Sequence, residues 1–282
     1  MAISLSYTHP AGSLHTPVSP SNIIFAGDSA GGNLAVALTQ TLLSFQRTSS
    51  TRRINFHSAA VPLPLPAALT IVSPALDQLL CLPSWYANAA NDIFEDELPA
   101  TLPSFPSCSA WPSTPPREHP YAPARTLLHP LASPCTTPPE KWRGCPPLWI
   151  AAGGGERLLD VAKVLARDVK DQSGFVEYVQ YDGMPHLWPF VFKGWWQSRN
   201  VTGRWGEACV RLSRQSLHHK STELGDENCM AVVVGVDGRT KSLEWKSFST
   251  PVWKQIVELM ETKAAAMKVY EGQKGKGRSS VL

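Results

Sequence analysis

Apolar residues fall along this chain in short runs bounded by turn formers, with stretches of helical spacing between them. Residues 22–28 (NIIFAGD) form a β-branched, apolar run, the pattern of a short buried strand. AGGNLAVALTQTLLSF (30–45) follows with Ala, Leu and Gln at helical spacing, predicting strand, sharp turn, helix. ALTIVSP (68–74) reads as a second buried strand, closed by Ser-Pro, and PLWIAAG (147–153) as a third. In RLLDVAKVLARDVKDQ (157–172), Leu158, Val161, Leu165 and Val169 share one helical face. FVEYVQYDG (175–183) is a fourth strand that ends in an Asp-Gly turn. Buried strands alternating with helices predict an α/β fold, a parallel sheet with crossover helices.

Two segments break the rhythm. Residues 99–139 hold 12 of the 25 prolines, too many for a helix or a central strand. They predict an irregular excursion packed over one edge of the sheet. Residues 193–250 follow no clear period, although MAVVVGVDGRTKSLEW (230–245) predicts a hairpin around Asp237-Gly238. Helical spacing returns at 251–268, with Pro251 suited to a first turn. The expected organisation is a leader (1–20), a core (21–192) and a C-terminal extension (193–282). The extension ends in a flexible tail carrying Lys274, Lys276 and Arg278.

Composition narrows the function classes. Of 282 residues, 43% are hydrophobic and 17% charged, and the net charge is +3, ordinary for a soluble globular protein. No Lys/Arg run with interleaved aromatics supports nucleic-acid binding. No stretch approaches the ~18 apolar residues of a membrane span. The start, MAISLSYTHPAG, lacks the basic and apolar regions of a signal peptide. The six cysteines show no CxxC pairing or His spacing for a metal. A cytoplasmic protein with reduced thiols is expected, in which the Asn200-Val201-Thr202 sequon is a chance match.

The candidate chemistry centres on Gly27-Asp28-Ser29-Ala30-Gly31-Gly32. In a G-x-S-x-G elbow the serine sits on a strained strand-to-helix turn that lifts its hydroxyl above the sheet. Glycines at 27 and 31 are expected where side chains would clash. The helix behind Ser29 aims N–H groups and its positive dipole end at a reacting oxygen. A bare G-x-S-x-G is common, but this one follows a predicted strand and opens a predicted helix. Among eight histidines, His186 follows the fourth strand and so opens at the same sheet edge as the elbow. His119 and His129 lie in the Pro-rich excursion, His218 and His219 in the unpatterned region. Two carboxylates, Glu156 and Asp160, follow the third strand.

IIFAGDSAGGNLA (23–35), SPALD (73–77), HPLASP (129–134), CPPLWIAAGGGERLLD (145–160) and YDGMPHLW (181–188) together resemble the hormonesensitive-lipase-like (GDSAGG) esterases of the α/β-hydrolase fold. The resemblance runs in the family's order over residues 20–192 and looks most like fungal members. It implies Ser29 as nucleophile and His186 as general base. Relatives carry the acid at the first carboxylate of a D-P-L-x-D stretch. Laid on Glu156-Arg157-Leu158-Leu159-Asp160, that position is Glu156, with Asp160 as the alternative.

The resemblance also implies a His-Gly-Gly-Gly-like oxyanion motif and several strands ahead of the elbow. The 26 residues before Gly27 hold one glycine, Gly12, so the chain is expected to begin midway through the fold. Ala30 N–H would then be the oxyanion donor in view, and the sheet would need another segment over its first edge. The implied activity is hydrolysis of small apolar esters such as acetates, without metal or cofactor. Fungal relatives that deacylate metabolites in biosynthetic pathways, of the versiconal-acetate-esterase kind, are one model. An acyltransferase with the same triad and a non-catalytic remnant or binding protein are the alternatives. Trp188, Trp195 and Trp196 follow the base closely, and Trp188 is a candidate for the substrate pocket.

Overall fold

The computed structural model describes residues 14, 16, 18–56, 58–95, 107–218 and 229–272. From the N-terminus these form β1 (Ile24–Asp28), α1 (Ser29–Thr48), β2 (Arg53–Phe56), β3 (Ala59–Pro62), β4 (Ala68–Val72) and α2 (Pro83–Ala87). After an irregular stretch come β5 (Leu148–Gly153), α3 (Leu159–Asp171), β6 (Val176–Tyr181), α4 (Trp188–Val191) and α5 (Trp196–His218). β7 (Met230–Val234), β8 (Thr240–Ser242) and α6 (Trp253–Ala266) follow. One sheet runs β1-β4-β5-β6-β7-β8; its neighbours are parallel except β8, which returns antiparallel to β7. β2 and β3 pair as a separate antiparallel hairpin.

The central strands read as unbroken apolar runs because both sheet faces are covered. Along β5, Leu148, Ile150 and Ala152 enter one core while Trp149 and Ala151 enter the other. The first core is closed by Val36 and Leu43 of α1, Val164 and Leu165 of α3, and Ile256 and Met260 of α6. The second is closed by Val201, Ala208 and Leu212 of α5. Trp205 of α5 also donates its indole N–H to Thr70 Oγ1 of β4 at 3.0 Å.

Four expectations change. The described part of the Pro-rich stretch does not cover a sheet edge. Its short 3-10 turns at Ala124–Leu128, Pro134–Thr136 and Pro139–Trp142 pack among α1, α3 and α6, on one face. Proline suits this place, since such turns need few backbone donors. Second, residues after 193 are integral to the sheet rather than an appendage: α5 covers a face, and β7 and β8 build the edge opposite β1. Third, the unpatterned stretch contains the 23-residue α5. Fourth, Pro251 precedes the Val252 N-cap of α6 instead of lying in its first turn. The hairpin turn expected at Asp237-Gly238 joins β7 to β8, with Gly238 at φ +80°. No helix among the described residues is long and apolar enough to cross a membrane. Most of the leader and the basic tail fall outside the described residues, as does His219.

Candidate active site

β1 delivers the chain to Ser29, whose φ of +46° is a left-handed conformation rare for a side chain with a Cβ. The turn closes because Gly27 has none: a Cβ there would stand 2.4 Å from the Gly31 carbonyl. The expected steric need at Gly31 is absent, because a Cβ there meets nothing within 4 Å. Gly32 takes that role instead, facing Pro74 at 2.9 Å. Ser29 opens the 20-residue α1, directly after Asp28 at the N-cap. Its first-turn N–H groups, that of Ala30 included, have no helical acceptors and are free for an anion.

The histidine expected as base comes from the loop after β6. His186 is buried, and its Nε2 lies 2.9 Å from Ser29 Oγ. Behind it, Glu156 Oε2 lies 3.5 Å from Nδ1. The three side chains thus stand in a line drawn from the ends of β1, β5 and β6. Gly153 at the end of β5 makes this possible, since a Cβ there would collide with the Met184 carbonyl of the loop that carries His186. Glu156 is fully buried. That burial raises its pKa above the usual 4.5, which the adjacent His186 ring only partly offsets. Asp160 is engaged elsewhere: Oδ2 accepts the Ser84 N–H at 2.7 Å, which ties α3 to α2.

A cavity of about 310 Å³ opens beside Ser29, walled by Ala75, Leu80, Trp85, Phe94 and His119. Three backbone N–H groups, of Leu79, Leu80 and Cys81, hold the Asp77 carboxylate and so shape the loop beneath it. Asn33 of α1 donates to the Ala75 and Ala132 carbonyls at 2.7 and 2.9 Å, fixing the pocket to the elbow helix. His119 is buried, and burial with nearby Arg117 lowers its pKa. Its Nδ1 accepts the Tyr121 N–H at 3.1 Å, so the neutral ring carries its proton on Nε2.

Trp188 is displaced from its expected place. It is fully buried in the second core, 5.3 Å from the Tyr181 ring, and the tryptophan of the pocket is Trp85. The Leu187 φ of +54° turns the chain inward after His186. Phe94, on the pocket wall, packs its ring 4.6 Å from that of His186. Trp85 and Phe94 carry no signal in the sequence, and His119 stood there only as one histidine of the Pro-rich excursion; all three lie in segments without a period.

A family model described as alpha/beta hydrolase fold matches residues 4–190, and the chain belongs to that family. Among solved structures, an esterase/lipase from an uncultured bacterium is 23% identical, with TM-score 0.50 over 70% of this chain and 55% of that one. Carboxyl esterase 2 from the mycorrhizal fungus Tuber melanosporum is 22% identical, with TM-score 0.50 over 71% of this chain and 56% of that one. An esterase from the bacterial hormone-sensitive lipase family is 25% identical, with TM-score 0.47 over 69% and 55%. The chain therefore spans little more than half the length of these structures. No curated protein matches it.

Proposed function

We propose that this chain is a serine carboxylesterase that hydrolyses small, apolar carboxylic esters through an acyl-enzyme. The carrying observation is the 2.9 Å contact between Ser29 Oγ and His186 Nε2 on a strained elbow. A serine hydroxyl is a weak nucleophile until a base takes its proton. Ser29 Oγ attacks the ester carbonyl while His186 Nε2 accepts the proton. His186 then returns it to the leaving alcohol, and water repeats the cycle on the acyl-enzyme. Glu156 orients the ring and stabilises the imidazolium, a contact that tightens as the ring gains charge. Ala30 N–H and the α1 dipole face the developing oxyanion. No step calls for a metal or organic cofactor.

The apolar walls and modest volume of the cavity favour short acyl groups such as acetyl and butyryl. The resemblance to fungal esterases favours an acylated small metabolite as the natural substrate. The test is hydrolysis of p-nitrophenyl acetate and butyrate by wild type beside Ser29→Ala. Wild-type turnover is expected to fall by at least about 10³-fold in the variant. Equal rates from two folded proteins would leave a hydrolase fold without hydrolase chemistry. Adding a competing alcohol separates hydrolysis from acyl transfer, since only a transferase would send most of the acyl group to it.

A further inference from the structure

Asp92 lies in the loop that follows α2, and its half-buried carboxylate reaches two loops at once. Oδ1 accepts the backbone N–H of His186 at 2.8 Å. Oδ2 accepts the backbone N–H of Arg157, the residue after Glu156, in a short hydrogen bond. We propose that Asp92 is a positioning residue that sets the spacing between His186 and Glu156. This inference rests on reading Ser29, His186 and Glu156 as the catalytic triad.

The acid and the base do not hold each other tightly. Their 3.5 Å contact is longer than an ordinary hydrogen bond, and besides the His186 ring it is the Ser73 hydroxyl that faces the Glu156 carboxylate. With so long a contact between them, their separation depends on the two backbones that carry them. Those backbones leave different strands, β5 and β6, and need a common anchor. A carboxylate is suited to this, because its two acceptor oxygens can each take an N–H in a charge-assisted bond.

The anchor is itself held against the acid loop. Asn88 donates to the Glu156 carbonyl at 2.8 Å. The Arg157 guanidinium donates to the Trp85 carbonyl at 2.7 Å and lies 4.1 Å over the Trp85 ring. It also donates to the Phe94 carbonyl at 3.1 Å. Residues 85–94 thus form a strap on the acid loop, and Asp92 is where the strap takes hold of the base. Asparagine would offer one acceptor and turn its NH2 toward the second N–H, while glutamate would keep the charge but overreach.

The experiment compares wild type, Asp92→Asn and Asp92→Glu, alone and with Glu156→Gln, once thermal melting has shown which are folded. Misplacing the base by about 1 Å is expected to lower kcat on p-nitrophenyl butyrate by about 10–100-fold. KM should stay within about threefold, because the cavity wall is retained. In the Glu156→Gln background, Asp92→Asn should cost less than about threefold more, since the spacing it sets no longer matters. The downfield Nδ1–H proton resonance of His186 should be displaced in Asp92→Asn, a readout independent of turnover.

Unchanged kcat, a loss confined to KM, full additivity with Glu156→Gln, or failure of both Asp92 variants to fold would each overturn the positioning role. A displaced resonance in a protein whose wild type turns over no ester would sink the esterase reading alone. Active wild type with an indifferent Asp92→Asn would sink the positioning role alone.

Discussion

Gly27 and Gly31 flank Ser29 symmetrically in sequence but stand in different surroundings. The first faces the backbone of α1 at 2.4 Å and the second faces open space. Gly27→Ala is therefore expected to destabilise the protein by about 3 kcal/mol or more, because the colliding atoms are backbone that cannot rotate away. Gly31→Ala should raise stability by up to about 1 kcal/mol, through alanine's better helix propensity. Thermal melting of the two variants checks both, and a destabilised Gly31→Ala would disprove the open space. The G-x-S-x-G motif was legible as a motif, but which glycines carry the steric burden depends on how α1 meets Pro74. The same limit applies to acids. Glu156 and Asp160 both follow the third strand, and the resemblance chose between them. In the fold one reaches the His186 ring while the other bonds the Ser84 amide.

At the scale of elements, β4, β5, β6 and α3 were legible because each buries a contiguous run or a regular stripe. The helix α5 was not, although Ser198, Val201, Ala208 and Leu212 recur at helical spacing and are buried. Gly203, Gly206 and Thr202 interrupt the stripe, and tryptophans and arginines widen it, so the local signal fades. The helix is held by tertiary packing rather than propensity. Leu212→Ala is accordingly expected to cost about 2–5 kcal/mol, as a fully buried side chain against the sheet. Leu34→Ala, at an exposed position on α1, should stay within about 0.5 kcal/mol. Chemical denaturation of both variants measures the contrast, and similar costs would mean that α5 does not close the second core.

For the whole molecule, the site and the stability of the fold pull in opposite directions at Glu156. Burial raises its pKa in the fold, whereas the unfolded chain keeps the ordinary value. The stability that this group contributes is therefore fully present below the unfolded pKa and is lost as pH rises through the folded one, because the unfolded state releases its proton first. Glu156→Gln cannot ionise and should melt higher than wild type at neutral pH, with the gap closing below about pH 4. If the proposed esterase chemistry holds, the same variant should lose most of its ester turnover, since glutamine stabilises an imidazolium poorly. Melting curves against pH, taken with rates, test the trade-off. A variant less stable than wild type at neutral pH would mean that the carboxylate is better compensated than its burial implies.

Beside the order of Ser29, Glu156 and His186, which the resemblance supplied, the sequence by itself determined the alternation of buried strands and helices and the elbow at Ser29. These are local patterns, fixed by the periods of strand and helix and by glycine at a tight turn. Only the tertiary structure decided that Trp188 belongs to the core and Trp85 to the pocket, and that residues after 193 extend the sheet. It alone brought Asp92 to the amides of both Arg157 and His186. The physical reason is separation along the chain. A carboxylate that bridges loops 65 and 94 residues away leaves no trace in its own neighbourhood, because what it recognises is backbone, and every residue has that.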